Sequence, residues 1–146
     1  MPFTDLRRAA LMLAAANLLT ACSMPRMPGI SSSPSPASAR AWDEYKVQVG
    51  RRLVAANPNA TYTGAVPEPL LAIPVLEVEL NGDGSVRRVH VQRHPSQAGD
   101  TVQLAVNAVH RAAPFGDVSH LPKPWRFSEA FLFRDDRRFK PRSLDQ

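Results

Sequence analysis

The chain has 146 residues, a formal net charge of +5, and 44% hydrophobic and 21% charged residues. This length corresponds to about one domain. A single cysteine excludes an internal disulfide framework and a cysteine-rich zinc module. No apolar run reaches the ~20 residues that span a bilayer, so the sequence predicts no transmembrane helix. Fourteen prolines argue against an all-helical bundle.

Residues 1–21 read as a secretory signal peptide, because Arg7 and Arg8 precede a short apolar stretch. The stretch ends in an aliphatic residue, two small residues and then Cys22, which resembles the lipobox of bacterial lipoproteins. The resemblance implies cleavage before Cys22 and attachment of fatty acids such as palmitate there. Because Ser23 rather than aspartate follows, it also implies the outer membrane, facing the periplasm. The alternative is an ordinary signal peptide followed by a chance cysteine.

Residues 22–40 then form a segment rich in proline and serine, without hydrophobic periodicity. Such a composition predicts a disordered tether between the lipidated cysteine and the rest of the chain. We assign residues 41–141 to one folded domain and residues 142–146 to a tail.

The folded domain is expected to begin with an amphipathic helix. Apolar residues recur on one helical face, and Ser38 is a candidate N-cap. The predicted helix ends at Asn57. Its apolar face consists of Trp42, Tyr45, Val49, Leu53 and Ala56.

A β-hairpin is the clearest pattern in the chain. Residues 73–80 and 86–93 alternate between apolar and polar side chains, and the residues between them have strong turn chemistry. The polar positions are acidic on the first strand and mostly basic on the second. Cross-strand pairing of acidic with basic side chains on the solvent-exposed face of the hairpin is therefore favourable.

The remaining elements are a helix and a strand. Asp100 and Gln103 suggest a capping box before a helical stripe over 102–112, and Pro114 ends the helix. Residues 125–134 then read as an aromatic strand. The sequence thus predicts an α+β fold with a three-stranded antiparallel sheet and helices packed on one face.

This order of segments resembles the C-terminal domain of TonB and TolA. The matching pieces are residues 75–91, 102–112, 121–124 and 131–133, with a further match at Phe139-Lys140-Pro141. The resemblance implies the same fold and the binding of periplasmic or outer-membrane proteins by strand addition. TonB and TolA transduce energy through a transmembrane helix, which is not predicted here.

We therefore expect a non-catalytic envelope lipoprotein whose last strand is the open edge of the sheet. The alternative function is an accessory component of TonB- or Tol-dependent energy transduction and transport. The residues expected on the partner-binding edge are Arg126, Phe131, Leu132 and Phe133. The alternative is that the phenylalanines are the core face of a buried strand.

Other chemistries find weaker support. The sequence predicts no metal site, because its histidines share no ligand spacing, and no other cofactor. Glu77 and Glu79 are expected to be solvated rather than a general acid and base. Asp117, Ser119 and His120 are too close along the chain to form a hydrolase triad. Nucleic acid is not expected as a partner of an exported chain. The histidines are His90, His94, His110 and His120.

Overall fold

The computed structural model describes residues 34–145. The predicted signal peptide, Cys22 and most of the predicted tether lie outside these described residues. The elements run in the order α1 (Pro36–Ala56), β1 (Val75–Leu80), β2 (Val86–Arg93), α2 (Asp100–Ala112), β3 (Arg126–Phe133) and β4 (Phe139–Pro141), followed by a 3₁₀ turn at Arg142–Leu144.

The described chain has the predicted α+β class, with two helices and one antiparallel sheet. The sheet has four strands in the order β2-β1-β3-β4, one more than predicted. The additional strand, β4, pairs with the second half of β3. It is too short to show an alternating pattern, and its last residue is Pro141. Its hydrogen-bonding role is therefore set by the tertiary fold rather than by local sequence.

Helix α1 begins earlier than predicted. The Oγ of Ser35 accepts a hydrogen bond from the N–H of Ser38 at 3.2 Å, so Ser35 is the N-cap and the assignment of Ser38 is wrong. Residues 36–40, which belong to the predicted tether, are helical. Tyr45, Val49 and Leu53 are buried as predicted.

Helix α2 ends at Ala112, as the following Pro114 predicts, but its start differs from the prediction. Gly99 is the N-cap and makes no side-chain capping bond. The carboxylate of Asp100 instead accepts a hydrogen bond from Arg137 at 2.6 Å. The predicted capping box is therefore wrong, because a partner from the β3–β4 turn takes the carboxylate.

One hydrophobic cluster joins the helices to the inner face of the sheet. Leu76 and Val78 supply the centre of this face, and both are fully buried. The ring of Phe127 packs edge-on against Tyr45 of α1 and against Phe115, with centroid distances of 6.3 and 5.7 Å. The outer face of β1 is left to its polar residues.

The turn of the β1–β2 hairpin is docked onto the loop that follows α2. Gly84 accepts a hydrogen bond from the N–H of Phe115, and Gly82 accepts one from Val118, both at 2.9 Å. Gly84 has a φ of +84°, and a Cβ at this position would lie 1.9 Å from the carbonyl oxygen of Gly116. A side chain at Gly84 is therefore excluded by backbone conformation and by space.

Replacing Gly84 with alanine should destabilise the protein by more than the left-handed conformation alone requires. That conformation costs roughly 1–2 kcal/mol for an alanine, and overpacking adds about 1–3 kcal/mol. The matched control is Gly64→Ala, because Gly64 has a φ of +88° and a Cβ there would meet no residue beyond its chain neighbours within 4 Å. Urea unfolding should show a clearly larger loss for Gly84→Ala. Equal losses would contradict the close docking of the turn.

Candidate partner-binding surface

The strand predicted to be the open edge, β3, lies inside the sheet. β1 pairs with β3 along Arg126–Ala130 on one side, and β4 pairs with Phe131–Phe133 on the other. The prediction of an open edge is therefore wrong along Phe131–Phe133, whereas no strand pairs with Arg126–Ala130 on the side away from β1. The chain continues beyond β3, turns through Asp135 and Asp136, and returns as β4.

The apolar residues predicted to contact a partner are buried in the protein. Phe131 and Phe133 are 0% exposed and Leu132 is 2% exposed. The ring of Phe139 lies 5.0 Å from that of Phe131 and 5.5 Å from that of Phe133. The hydroxyl of Tyr62 donates to the carbonyl of Leu132 at 3.0 Å. These side chains stabilise the domain and are not available to a partner.

The outer edge of β4 is also covered. Phe139 donates its N–H to the carbonyl of Ala60 at 2.9 Å, and Tyr62 donates to the carbonyl of Phe139 at 3.2 Å. The segment after α1 thus satisfies the backbone groups that β4 would otherwise present. Among residues 34–145, this leaves β2 as the strand that has no strand partner along the whole of one side.

The free side of β2 presents backbone groups to solvent. Leu80 donates its N–H to the carbonyl of Trp125, so the even-numbered residues of β1 direct their backbone groups toward β3. Val89 and Val91 lie opposite two of those even-numbered residues. In an antiparallel pair, two residues opposite each other either bond to each other or both direct their backbone groups outward. Because the even-numbered residues of β1 bond toward β3, Val89 and Val91 direct their N–H and C=O groups away from β1. We name the strand Val86–Arg93, with this free side, the β2 edge.

Charged and polar side chains pair between neighbouring strands on the outer face of the sheet. His90 lies 3.2 Å from Glu79, and Gln92 donates to Glu77 at 3.2 Å. Arg126 of β3 lies 3.7 Å from Glu77 and, of the four residues predicted on the partner-binding edge, is the one that is exposed. The predicted cross-strand pairing of acids with bases is present between β1 and β2 as the His90–Glu79 pair. Glu77 and Glu79 are half-buried and engaged in pairs rather than freely solvated.

The same face holds a group of side chains of the kind that ligates metals. One ligand atom from each of Glu77, Glu79 and His90 lies within 4.8 Å of the others. Spacing along the chain does not reveal this group, because the hairpin brings it together. Glu77 is already engaged by Gln92 and Arg126, and Glu79 by His90. The arrangement is accounted for by cross-strand pairing.

A hollow of about 570 Å³ lies where β2 begins and β3 begins. Lys123 stacks over the ring of Trp125, 4.5 Å from its centre, and the indole N–H donates to Leu121 at 3.0 Å. Arg87 enters the lining from the irregularity in the β1–β2 register. Such a β-bulge redirects one side chain. The lining thus combines basic side chains and one indole ring with the acid Glu79.

Glu129 is a buried acid that the sequence reasoning missed. It lies opposite Leu76 on the inner face of β3 and is 3% exposed. Its Oε1 accepts a hydrogen bond from the N–H of Ser143 at 3.0 Å. Burial raises the pKa of the Glu129 carboxyl above its usual range. The available signal was the alternation of β3, which places Glu129 on the same face as the apolar Phe127 and Phe131.

The residues 117–120 form a turn. Asp117 accepts hydrogen bonds from both the N–H and the hydroxyl of Ser119, and these bonds lower the pKa of Asp117. His120 Nδ1 lies 3.8 Å from the same carboxylate. The serine hydroxyl is thus bonded to the acid rather than to the histidine, which is not the order of a nucleophile activated by a base.

No protein-family model, no curated protein and no solved structure matches the chain. Within residues 34–145, no helix is both long enough and apolar enough to cross a membrane.

The buried carboxyl of Glu129 gives stability a specific pH dependence. A raised native pKa means that the native state binds the proton more tightly than the unfolded chain does, so the contribution of Glu129 to stability is greatest at low pH. That contribution is lost as the pH rises from about 4.5 through the native pKa. Glu129→Gln cannot ionise and keeps an oxygen that can accept from Ser143. Urea midpoints should therefore favour the variant over wild type increasingly from pH 4 to pH 8.

The exposed Glu68→Gln is the matched control for this comparison. It should follow wild type across the same pH range. A constant difference between wild type and Glu129→Gln would contradict the burial of an ionisable carboxyl at this position.

Proposed function

We propose that this protein is a non-catalytic, lipid-anchored component of the bacterial envelope that binds a protein partner by strand addition at the β2 edge. The observation that carries the proposal is the asymmetry of the sheet. Ala60 and Tyr62 bond to one outer strand, whereas Val89 and Val91 of the other direct their backbone groups outward. A strand of this length with one unpaired side is a template for another extended segment.

A binding role also agrees with the chemistry of the described residues. The outer-face acids pair with basic or amide side chains, and the buried Glu129 is held by the backbone of Ser143. In the Asp117 turn the hydroxyl of Ser119 donates to the carboxylate and not to a histidine. None of these groups has the arrangement of a nucleophile, a base and a stabilised reacting atom.

The proposed location rests on the sequence. The lipobox-like segment ending at Cys22 supports lipid attachment, and the serine after it supports the outer membrane, facing the periplasm. The resemblance to the TonB and TolA C-terminal domain supports partner binding through a sheet edge. Here that edge is β2, since β3 is paired on both sides along part of its length.

Photo-crosslinking in cells tests the binding surface. A photoreactive amino acid is placed at Gln92, which is exposed on β2, or at Gln48, which is exposed on α1. We expect a partner adduct from position 92 and none from position 48, with mass spectrometry locating the link in an extended segment of the partner. Adducts from position 48 alone would overturn the proposed surface. Recovery of motor subunits would favour a role in energy transduction.

A proline variant tests the mechanism of binding. Val89→Pro removes an N–H that faces away from β1, so the β1–β2 hydrogen bonds remain while an added strand loses one. We expect the adduct at position 92 to weaken strongly. Circular dichroism and thermal melting establish that the variant is folded. Arg88→Pro is the comparison variant, because Arg88 is exposed and its backbone lies on the paired side of β2. A proline there must break the hairpin.

Substituting Cys22 tests the anchor. Lipid attachment requires the thiol, so Cys22→Ser should abolish incorporation of labelled palmitate and release the protein from the membrane fraction. Two or more acyl chains anchor a protein stably, so partial release is not expected of the wild type. Palmitate labelling that persists in Cys22→Ser would contradict the proposed anchor.

A further inference from the structure

The β2 edge has a pronounced charge. Between Gly84 and Gly99 the chain contains three arginines and two histidines and no acidic residue. Within the described residues, Arg87, Arg88 and Arg93 take part in no ion pair, whereas His90 pairs with Glu79. Most of the positive charge of this edge is therefore not neutralised by the protein itself.

The outer face of the sheet alternates in charge from strand to strand. Arg126 of β3 lies opposite Glu79 of β1, and Glu79 lies opposite Arg88 of β2. A base, an acid and a base thus follow one another along this row toward the free edge. Opposite charges on neighbouring strands stabilise their pairing, so an acidic side chain would be the favourable next member of the row.

The inner face at the same edge is apolar. Val89 and Val91 are half-buried and pack against the hydrophobic core. Helix α2 contacts β2, and its Leu104, 38% exposed, is the most exposed large apolar side chain among residues 34–145. A strand added beside β2 would direct every second side chain toward the face that holds Val89 and Val91. Those side chains are expected to be apolar.

We infer that the partner of the β2 edge is an extended segment in which acidic and apolar residues alternate. This inference rests on the proposed function and adds the chemistry of the partner to it. Strand β1 is an internal example, because Val75–Leu80 alternates in this way and is the strand that β2 already accepts on its other side. The acids meet Arg88 and its neighbours, and the apolar residues meet Val89 and Val91.

A second copy of this chain does not fit the same edge. Antiparallel pairing of two β2 strands would set arginine and histidine side chains against an identical basic set. Like charges on neighbouring strands are destabilising. The partner is therefore a different protein that supplies the acidic strand.

Peptide binding tests the inference on the full chain in detergent. Three labelled peptides are compared by fluorescence anisotropy: one of alternating valine and glutamate, one of alternating valine and lysine, and the glutamate peptide with a central proline. We expect binding of the first peptide only, weakening as salt is added. Slower hydrogen exchange at the amides of Val89 and Val91 should accompany it.

Variants assign the charge contribution. Arg88→Gln should weaken binding of the glutamate peptide by about two- to fivefold, whereas Arg51→Gln, at an exposed position on α1, should not change it. Equal binding of the lysine peptide, binding that survives the central proline, or binding unchanged by Arg88→Gln would overturn the inference. Dimerisation of the chain through β2 would also overturn it.

Failure of the inference is distinguishable from failure of the proposed function. If no peptide binds but crosslinking at Gln92 still captures an extended partner segment, the edge is a docking site with different chemistry. If crosslinking at Gln92 also fails, the arginines serve to keep an open edge from pairing with other chains.

Discussion

The packing of Phe139 against Phe131 and Phe133 is the interaction on which the rest of the molecule depends. It draws the chain back after β3 and holds a strand of only three residues in the sheet. The backbone of Phe139 then bonds to the segment after α1, at Ala60 and Tyr62. This end of the sheet is thereby covered along Phe131–Phe133 by its own chain, and β2 is left as the strand that is open along a whole side.

The two faces of the sheet have different roles because alternation separates them. On the inner face, apolar side chains join the helices in a single cluster, in which Leu76 and Val78 are fully buried. On the outer face, Glu77 and Glu79 engage partners on both neighbouring strands. The inner face supplies the stability, and the outer face carries the charge pattern that continues to the free edge at β2.

Elements with a strong local period could be predicted from the sequence. The β2 boundaries and the end of α2 follow from alternation and from Pro114, and both agree with the structure. Strand β4 could not be predicted, because three residues carry no period and the partner that stabilises them is distant in sequence. The prediction that the open edge includes Phe131–Phe133 is wrong for that reason. Glu129 was missed because a strand pattern shows which face a residue occupies. The pattern does not show that the N–H of Ser143 donates to the carboxylate on that face.

The docking of Gly84 has a consequence for how the chain can change. Hairpin turns are commonly the places where proteins accept extra residues, since most turns project into water. Here the turn is bonded to the loop after α2, and a single methyl group would meet the backbone of Gly116. Added residues in this turn would therefore have to displace the loop after α2. The exposed stretch around Gly64, with open space beside it, is the better candidate for added residues.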